Sequence, residues 1–376
     1  MEENVNLKEI AKVFGKLGII GFGGPAAHIA MMRDEVVIKR KWMNEQHFLD
    51  LLGATNLIPG PNSTEMAIHI GHDKGGWKGL IIAGLCFILP AVFITGIFAL
   101  LYRQYGQLPE VQPFIYGIKP AIIAIIIGAV YPLARKSVKS PFLGFIGIVV
   151  LLAAVIGIEE IYLMFGAGLL ALSLFYIQNK KPDKFQNIVP LTFLQITQTT
   201  FWTTTNAQLF WTFLKIGSIL YGSGYVLFAF LDTELVDTGL LTKQQLMDAI
   251  AVGQFTPGPV FSSVTFIGFQ INGLSGAIVS TIAIFLPSFV FVALLNPLMK
   301  KLRSSKGLSA FLDAVNVASV AIIVAVCFEM GKETITDWRT ILIAVVSSII
   351  VLKFKKINSA FVVFGGSFLG YILKMI

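Results

Sequence analysis

Charge and cysteine are what this chain has least of. Only 13% of its 376 residues are Asp, Glu, Lys or Arg, against about 25% in an average soluble domain. That scarcity excludes an ordinary water-soluble globule. The two cysteines, Cys86 and Cys327, both sit in apolar runs. They read as small core residues rather than a disulfide or a metal pair. The four histidines are too few, and His69 and His72 too near a loop, to define a metal site. No Gly-x-x-x-x-Gly-Lys-Ser/Thr phosphate loop is present, which argues against ATP-driven pumping within this chain. No cofactor motif, clustered acid–base set or nucleic-acid module stands out. The amino terminus is acidic and polar before Ile10, so no cleavable signal peptide is expected.

Apolar residues are what is abundant. They make up 55% of the chain, and the mean hydropathy is +0.78. Apolar runs near 80–101, 121–133, 141–158, 161–177, 276–298, 314–330, 341–352 and 361–373 approach or reach the ~20 residues that cross a bilayer. The expected fold is an all-α polytopic membrane protein. The formal net charge is +8. Basic loops that orient the chain account for much of it, and the surplus suits an anionic ligand.

The chain also repeats itself. Phe14-Gly15-Lys16-Leu17-Gly18 aligns with Phe213-Leu214-Lys215-Ile216-Gly217, and Phe22-Gly23 with Tyr221-Gly222. One residue of slip pairs Asp50 with Asp248, Asn56 with Gln254, and Pro59-Gly60-Pro61 with Pro257-Gly258-Pro259. One further slip pairs Gly71 with Gly268, Gly76 with Gly273, Gly79 with Gly276 and Pro90 with Pro287. This is a tandem duplication. Residues 1–177 form the first repeat, 178–208 a cytoplasmic linker and 209–376 the second repeat. Loop charge alternates in sign between the halves. Lys39, Arg40 and Lys41 face an acidic counterpart with Asp232, Glu234 and Asp237; Glu159 and Glu160 face Lys353, Lys355 and Lys356. By the positive-inside rule, matched loops then lie on opposite sides. The expectation is two inverted-topology repeats of about five crossings, with one re-entrant or broken helix in each.

The breaks carry the functional argument. Pro59-Gly60-Pro61 and Pro257-Gly258-Pro259 interrupt apolar segments, where a break is tolerated only beside protein or a water-filled cavity. Proline suits the first turn of a helix, so Pro61 and Pro259 are expected to start half-helices. Their free N–H groups, at the positive end of the dipole, suit an oxyanion. Asn62, Ser63 and Thr64 add donors in the first half, and Ser262 and Ser263 in the second; Asn56 and Gln254 flank the breaks. Matched discontinuous helices are a pointer to a transporter's binding site. The plainer alternative is that these prolines only kink packed helices.

A second pair of breaks lies at Gly21-Phe22-Gly23-Gly24-Pro25 and Tyr221-Gly222-Ser223-Gly224-Tyr225. Such glycines either allow close helix packing or open amides toward the same cavity. Lys16 and Lys215, at matched positions, would neutralise a dianion or snorkel to an interface. Glu65 has Ser263 as its twin. It is a candidate proton carrier, or a helix-start residue matched to the dipole. Asp50 and Asp248 fit capping or structural pairing better than chemistry. His28 and Glu329 are outlying candidates.

Taken together, these motifs resemble the chromate ion transporter family, in its long-chain, two-domain form. The resemblance rests on Phe14–Pro25, Pro59-Gly60-Pro61, Gly71 through Gly79, and Leu89-Pro90. It extends to Gly222, Pro257-Gly258-Pro259, Gly273 and Leu286-Pro287 in the second copy. It implies a multi-pass inner-membrane protein that exports chromate and confers chromate resistance, with sulfate as a chemical look-alike. Gly224 stands where the first copy has Pro25, so the two glycine breaks need not play equal parts. The partners expected are a chromate- or sulfate-like oxyanion, the lipid bilayer and a second copy of the chain, with no nucleic acid. A carrier of sulfate or another oxyanion, or an anion channel, remains open. The missing acid–base set disfavours a membrane-embedded enzyme or assembly subunit.

Overall fold

A computed structural model describes residues 5–22, 24–106, 108, 110–178, 205–221, 224–295, 305–354 and 358–375. The described chain is helical, with no strand among the described residues. Gly23, Gly222, Ser223 and most of the expected linker (179–204) lie outside them. Among the described residues, five helices are long and apolar enough to cross a membrane. Large apolar side chains on the outer surface, among them Phe93, Phe145, Leu152 and Phe361, are exposed, as a lipid-facing exterior requires.

The first half opens with two helical hairpins. Helix α1 (Leu7–Ile20) is capped by Asn6, whose side chain accepts from the Lys8 N–H. It stops at Gly21, and α2 (Gly24–Arg33), extended by a π-turn over Asp34–Lys39, runs back along it. Three contacts fix the antiparallel register: His28 Nε2 to Gly21 O at 2.8 Å, Lys16 to Glu35 at 3.0 Å, and Arg40 to Glu9 at 3.4 Å. Helix α3 (Glu45–Thr55) then leads to Pro59-Gly60-Pro61, and α4 (Asn62–Tyr105) follows. His47 at the start of α3 meets Asp73 at 2.9 Å, so residues 62–73 retrace the path of α3.

Helix α4 is itself folded. Gly76 has φ 57 and ψ −149, outside helical geometry. Gly71 packs on Gly79 and Ala83, and Ile68 on Gly84; in a straight helix eight residues span ~12 Å. The chain therefore reverses at Gly76, with a short arm 62–75 and a long arm 77–105. A positive φ costs glycine nothing, and the tight crossing needs hydrogens rather than side chains.

The second half repeats these devices. Helices α8 (Thr205–Ile219) and α9 (Leu227–Leu231) flank the second glycine break. Lys215 pairs with Glu234 across the same separation of 19 residues as Lys16 and Glu35. Helix α10 (Lys243–Phe255), with a Thr242–Gln245 capping box, leads to Pro257-Gly258-Pro259. Helix α11 (Ser263–Leu295) reverses at Asn272-Gly273, where Gly273 has φ 61 and ψ −151. Thr265 and Thr281, 16 residues apart, meet at 2.7 Å across that reversal. Each half is thus broken twice, at its glycine run and at its Pro-Gly-Pro, rather than once. Beside these breaks, four continuous helices per half lie among the described residues. These are the 77–105 arm, α5 (Gln112–Ser137), α6 (Pro141–Val155) and α7 (Glu160–Gln178), then the 274–295 arm, α12 (Lys306–Thr334), α13 (Trp338–Lys353) and α14 (Ser359–Met375).

The long arm 77–105 gives the molecule two ends. At its start, Val5 N–H donates to Lys74 O at 3.0 Å; this is the proximal end. At its finish, Arg103 lies against Phe269 and beside Gly273, Gln270 donates to Ala99 O, and Asn272 to Asn206; this is the distal end. Residues before α1 and the basic stretch near Arg40 share the proximal end, because Arg40 pairs with Glu9. The turn at Gly21 keeps them together.

The Glu35 carboxyl, outside the long apolar helices and 5% exposed, holds Lys16, Lys39 and Arg40. Burial would raise it, but hydrogen bonds from Lys39, Lys16 and Arg40 outweigh that and hold it at about 2. A depressed carboxyl contributes stability that is present above its unfolded value and lost as pH falls through the folded one. Glu35→Gln is expected to cost about 1–2 kcal/mol at pH 7, given solvent screening at the lysines. It should also flatten the acid limb of melting temperature between about pH 4.5 and 2. Thermal melts in detergent across that window check both.

Candidate functional site

The two Pro-Gly-Pro tips dock on the opposite half's glycine break. Gly60 N–H donates to Leu220 O at 2.8 Å, and Gly258 N–H donates to Gly21 O at 2.7 Å. These acceptors are repeat-matched, since Gly21 and Leu220 hold equivalent positions before the two breaks. Further contacts match in the same way. A Cβ on Gly60 would sit 2.7 Å from Ser288 Oγ, and one on Gly258 2.7 Å from Ala91 Cβ; Ala91 and Ser288 are themselves equivalent. Gly18 packs on Phe87 and Pro90, as Gly217 packs on Ile284 and Pro287.

Each tip starts a helix, as expected of proline at that place. Pro61 caps the 62–75 arm and its carbonyl takes the Thr64 and Glu65 N–H groups. Pro259 precedes a 3-10 turn, Val260–Ser262, that runs into α11. Around them lie buried polar groups without hydrogen-bond partners: Thr64 Oγ1, both Glu65 carboxyl oxygens, Gln254 Nε2, Ser263 Oγ and Ser288 Oγ. Buried polar atoms are nearly always paired, so this cluster stands out. The Glu65 carboxyl, fully buried, presses with Ser288 on Gly60. Two hydroxyls of the second tip lie within reach of the first half: Thr95 Oγ1 is 3.4 Å from Ser262 Oγ and 3.5 Å from Thr256 Oγ1, and its one proton serves either.

His28 bridges the tips. Its Nε2 is 2.8 Å from Gly21 O, the carbonyl that also receives Gly258, and its Nδ1 is 3.3 Å from Ser63 Oγ. A carbonyl can only accept, so Nε2 carries the proton and Nδ1 accepts from Ser63. Its ring is 1% exposed.

The other sequence-named residues fall as follows. Asn62 Nδ2 donates to Asn56 Oδ1 at 3.1 Å on the exposed side of the first tip. Gln254 faces Tyr225 OH at 3.5 Å, and that hydroxyl also lies 3.8 Å from where Gly24 would carry a Cβ. Gly224 packs against Val260 and Phe261. Lys16 and Lys215, expected to offer charge to a dianion, are 50% and 49% exposed and held by Glu35 and Glu234. Their long stems carry the ammonium groups outward, so the structure does not bring them to the tips. Asp50 sits near Gln46 at 3.4 Å, and Glu329 pairs with Lys332. Ser288, Thr95 and Thr256 were not singled out in the sequence. Ser288 follows the Leu286-Pro287 motif, which was the available signal.

A cavity lies toward each end of α5. The proximal one, about 350 Å³, is lined by Asn56, Leu57, Asn62, Lys136, Asp313 and Asn316, among others. It reaches the first tip. The distal one, about 370 Å³, is lined by Tyr102, Tyr116, Lys119, Gln244, Glu333 and Lys374, among others. Helix α5 contributes its start to one and its finish to the other; Lys119 and Lys136 are ~25 Å apart along it.

Paired broken helices inside an apolar helical shell, with buried unpaired polar groups around their tips, are the arrangement of a membrane transport protein. The profile of the chromate transporter family matches residues 8–172 and again 207–371. The chain belongs to that family. It is 32% identical over 352 residues to a probable chromate transport protein of Synechococcus elongatus, covering 92% of this chain and 89% of the relative. It is 31% identical over 373 residues to the chromate transport protein of Cupriavidus metallidurans, covering 97% and 93%. A half-length relative, the uncharacterized transporter YwrB of Bacillus subtilis, is 30% identical over 190 residues, 49% of this chain and 94% of the relative. No solved structure matches.

Proposed function

We propose that this protein carries chromate, or its look-alike sulfate, out of the cell by alternating access between two inverted repeats, and so confers chromate resistance. The observation that carries this reading is the reciprocal pair of tip bonds, Gly60 to Leu220 and Gly258 to Gly21. Each half's broken helix rests on the other half, so a shift between the halves moves both tips together. The opposed entry of the hairpins, proximal in the first half and distal in the second, supports the inversion.

In this reading the dianion lies between the first turns that follow Pro61 and Pro259. Free amide groups there, with the hydroxyls of Ser63, Thr64, Ser262 and Ser263 and the amides of Asn56, Asn62 and Gln254, replace its water shell. Glu65 takes up and releases a proton as the site opens to each cavity. The lysines at 16 and 215 hold the hairpins rather than the substrate. Energy then comes from an ion gradient or from exchange.

Purified protein in liposomes should accumulate labelled sulfate or chromate against its gradient when a pH gradient is imposed. Flux that only equilibrates would replace the carrier with a channel. No flux of either anion would remove the proposal.

A further inference from the structure

The two cavities are repeat counterparts and each has an ion pair beside it: a close one on the proximal cavity, Lys139 to Asp313 at 2.6 Å with side chains 58% and 25% exposed, and a longer, buried one at the distal cavity. Gln112, Tyr116 and Lys119 line the distal cavity, and the equivalent Ser309, Asp313 and Asn316 line the proximal one. The proximal cavity runs on to Asn56 and Asn62 at the first tip. The distal cavity reaches no residue of the second tip. Behind its lining residues Tyr102, Lys119 and Gln244, and in contact with all three, is Asp248 on α10, six residues before Gln254.

Asp248 is 4% exposed and is held from three directions. Lys119 on α5 approaches Oδ1 at 3.7 Å. Tyr102 donates to Oδ2 at 2.6 Å and Gln244 at 3.4 Å. The last contact has a twin in Gln46 and Asp50, also 3.4 Å. The lysine has none, because Asn316 takes its place in the second copy. The Lys119–Asp248 contact is also loose: Oδ1 has no hydrogen-bond partner. The other acid on this cavity, Glu333, is held by Lys243 at 3.0 Å. Lys374 lies over the Tyr116 ring. Lys119 is thus a cation, 13% exposed, deep in a cavity whose one loosely bound anion is a carboxylate of the protein itself.

We propose that Lys119 is an oxyanion station on the distal path, at which Asp248 and the transported dianion compete. With Asp248 on Lys119, α10 is drawn to α5 and the distal path is shut. When the dianion takes the ammonium group, Asp248 is released and α10, which carries the second tip, is free to move. A lysine in an apolar helix is costly unless used, and removing one charge-assisted partner is worth about tenfold in affinity. This inference rests on the oxyanion reading above but adds a residue and a gate to it.

Two variants separate a station from a mere strut. If the pair only braces the fold, Lys119→Gln and Asp248→Asn break the same contact and act alike. If Lys119 binds the anion, they act oppositely. We expect Lys119→Gln to raise the sulfate Kd, read from sulfate-induced thermal stabilisation in detergent, about tenfold. Asp248→Asn should lower it severalfold, and the liposome KM should follow both. Shifts in the same direction, no shift in either, or no stabilisation of the unmutated protein by sulfate or chromate overturn the proposal. Should Lys119→Gln fail to fold, Asp248→Asn decides alone, an unchanged or higher Kd counting against it. Sulfate binding without transport in the unmutated protein would sink the transport reading while leaving the Kd comparison to judge Lys119.

Discussion

Replacing Glu65 by Gln should uncouple the carrier from the pH gradient while leaving anion exchange intact. Glu65 is fully buried, and its carboxyl has the Ser288 hydroxyl beside it but no hydrogen bond of good geometry. An ionised carboxyl so placed costs several kcal/mol unless a cation or a proton joins it. No ion pair to Glu65 is found among the described residues. Its repeat twin is Ser263, which does not titrate, so one site per molecule would carry the coupling. Coupling between two ligands is typically about 5–150-fold, and gradient-driven accumulation should fall within that range. Uptake into inverted vesicles with and without an imposed pH gradient, set beside sulfate counterflow in liposomes, measures the two activities separately. Undiminished response to the pH gradient would assign coupling elsewhere.

The second large effect is expected at the tips. Gly258 has φ 87 and Gly60 φ 132, a region that side chains other than hydrogen rarely adopt. A methyl group at 258 would also strike the Ala91 methyl, and one at 60 would strike Ser288 and Glu65. Backbone strain of about 1–2 kcal/mol adds to about 1–3 kcal/mol of overpacking. Gly258→Ala should therefore lower the melting temperature and reduce transport at least tenfold. Ala91→Gly removes the steric part but not the strain, so the double variant should recover partly. Gly60→Ala should resist rescue by Ser288→Ala, because the Glu65 carboxyl remains in the way. Wild-type melting and transport for Gly258→Ala would mean that the tips do not meet the opposite half as closely as these contacts require.

Much of this protein is legible along the chain because its signals are local. A proline with no N–H breaks a helix wherever it falls, so Pro59, Pro61, Pro257 and Pro259 marked the tips at once. Gly76 and Gly273 showed as a repeat match, though their job as the reversals of α4 and α11 did not. A 44-residue helical stretch reads the same whether straight or folded at one glycine. The partners of the two lysines were hidden for a similar reason. Lys16 and Lys215 sit in apolar sequence, but their partners Glu35 and Glu234 come 19 residues later. Only the turn at each glycine break returns the chain to meet them.

The sequence by itself settled the family, the all-helical membrane class and the duplication, since composition and spacing survive any arrangement in space. Tertiary structure alone decided which half receives which tip, that Ser288 and Thr95 join the polar centre, and that Lys119 meets Asp248. Those pairings link residues from 129 (Lys119 to Asp248) to 237 (Gly21 to Gly258) positions apart. Their distances depend on how helices pack, and no local preference of the chain encodes that.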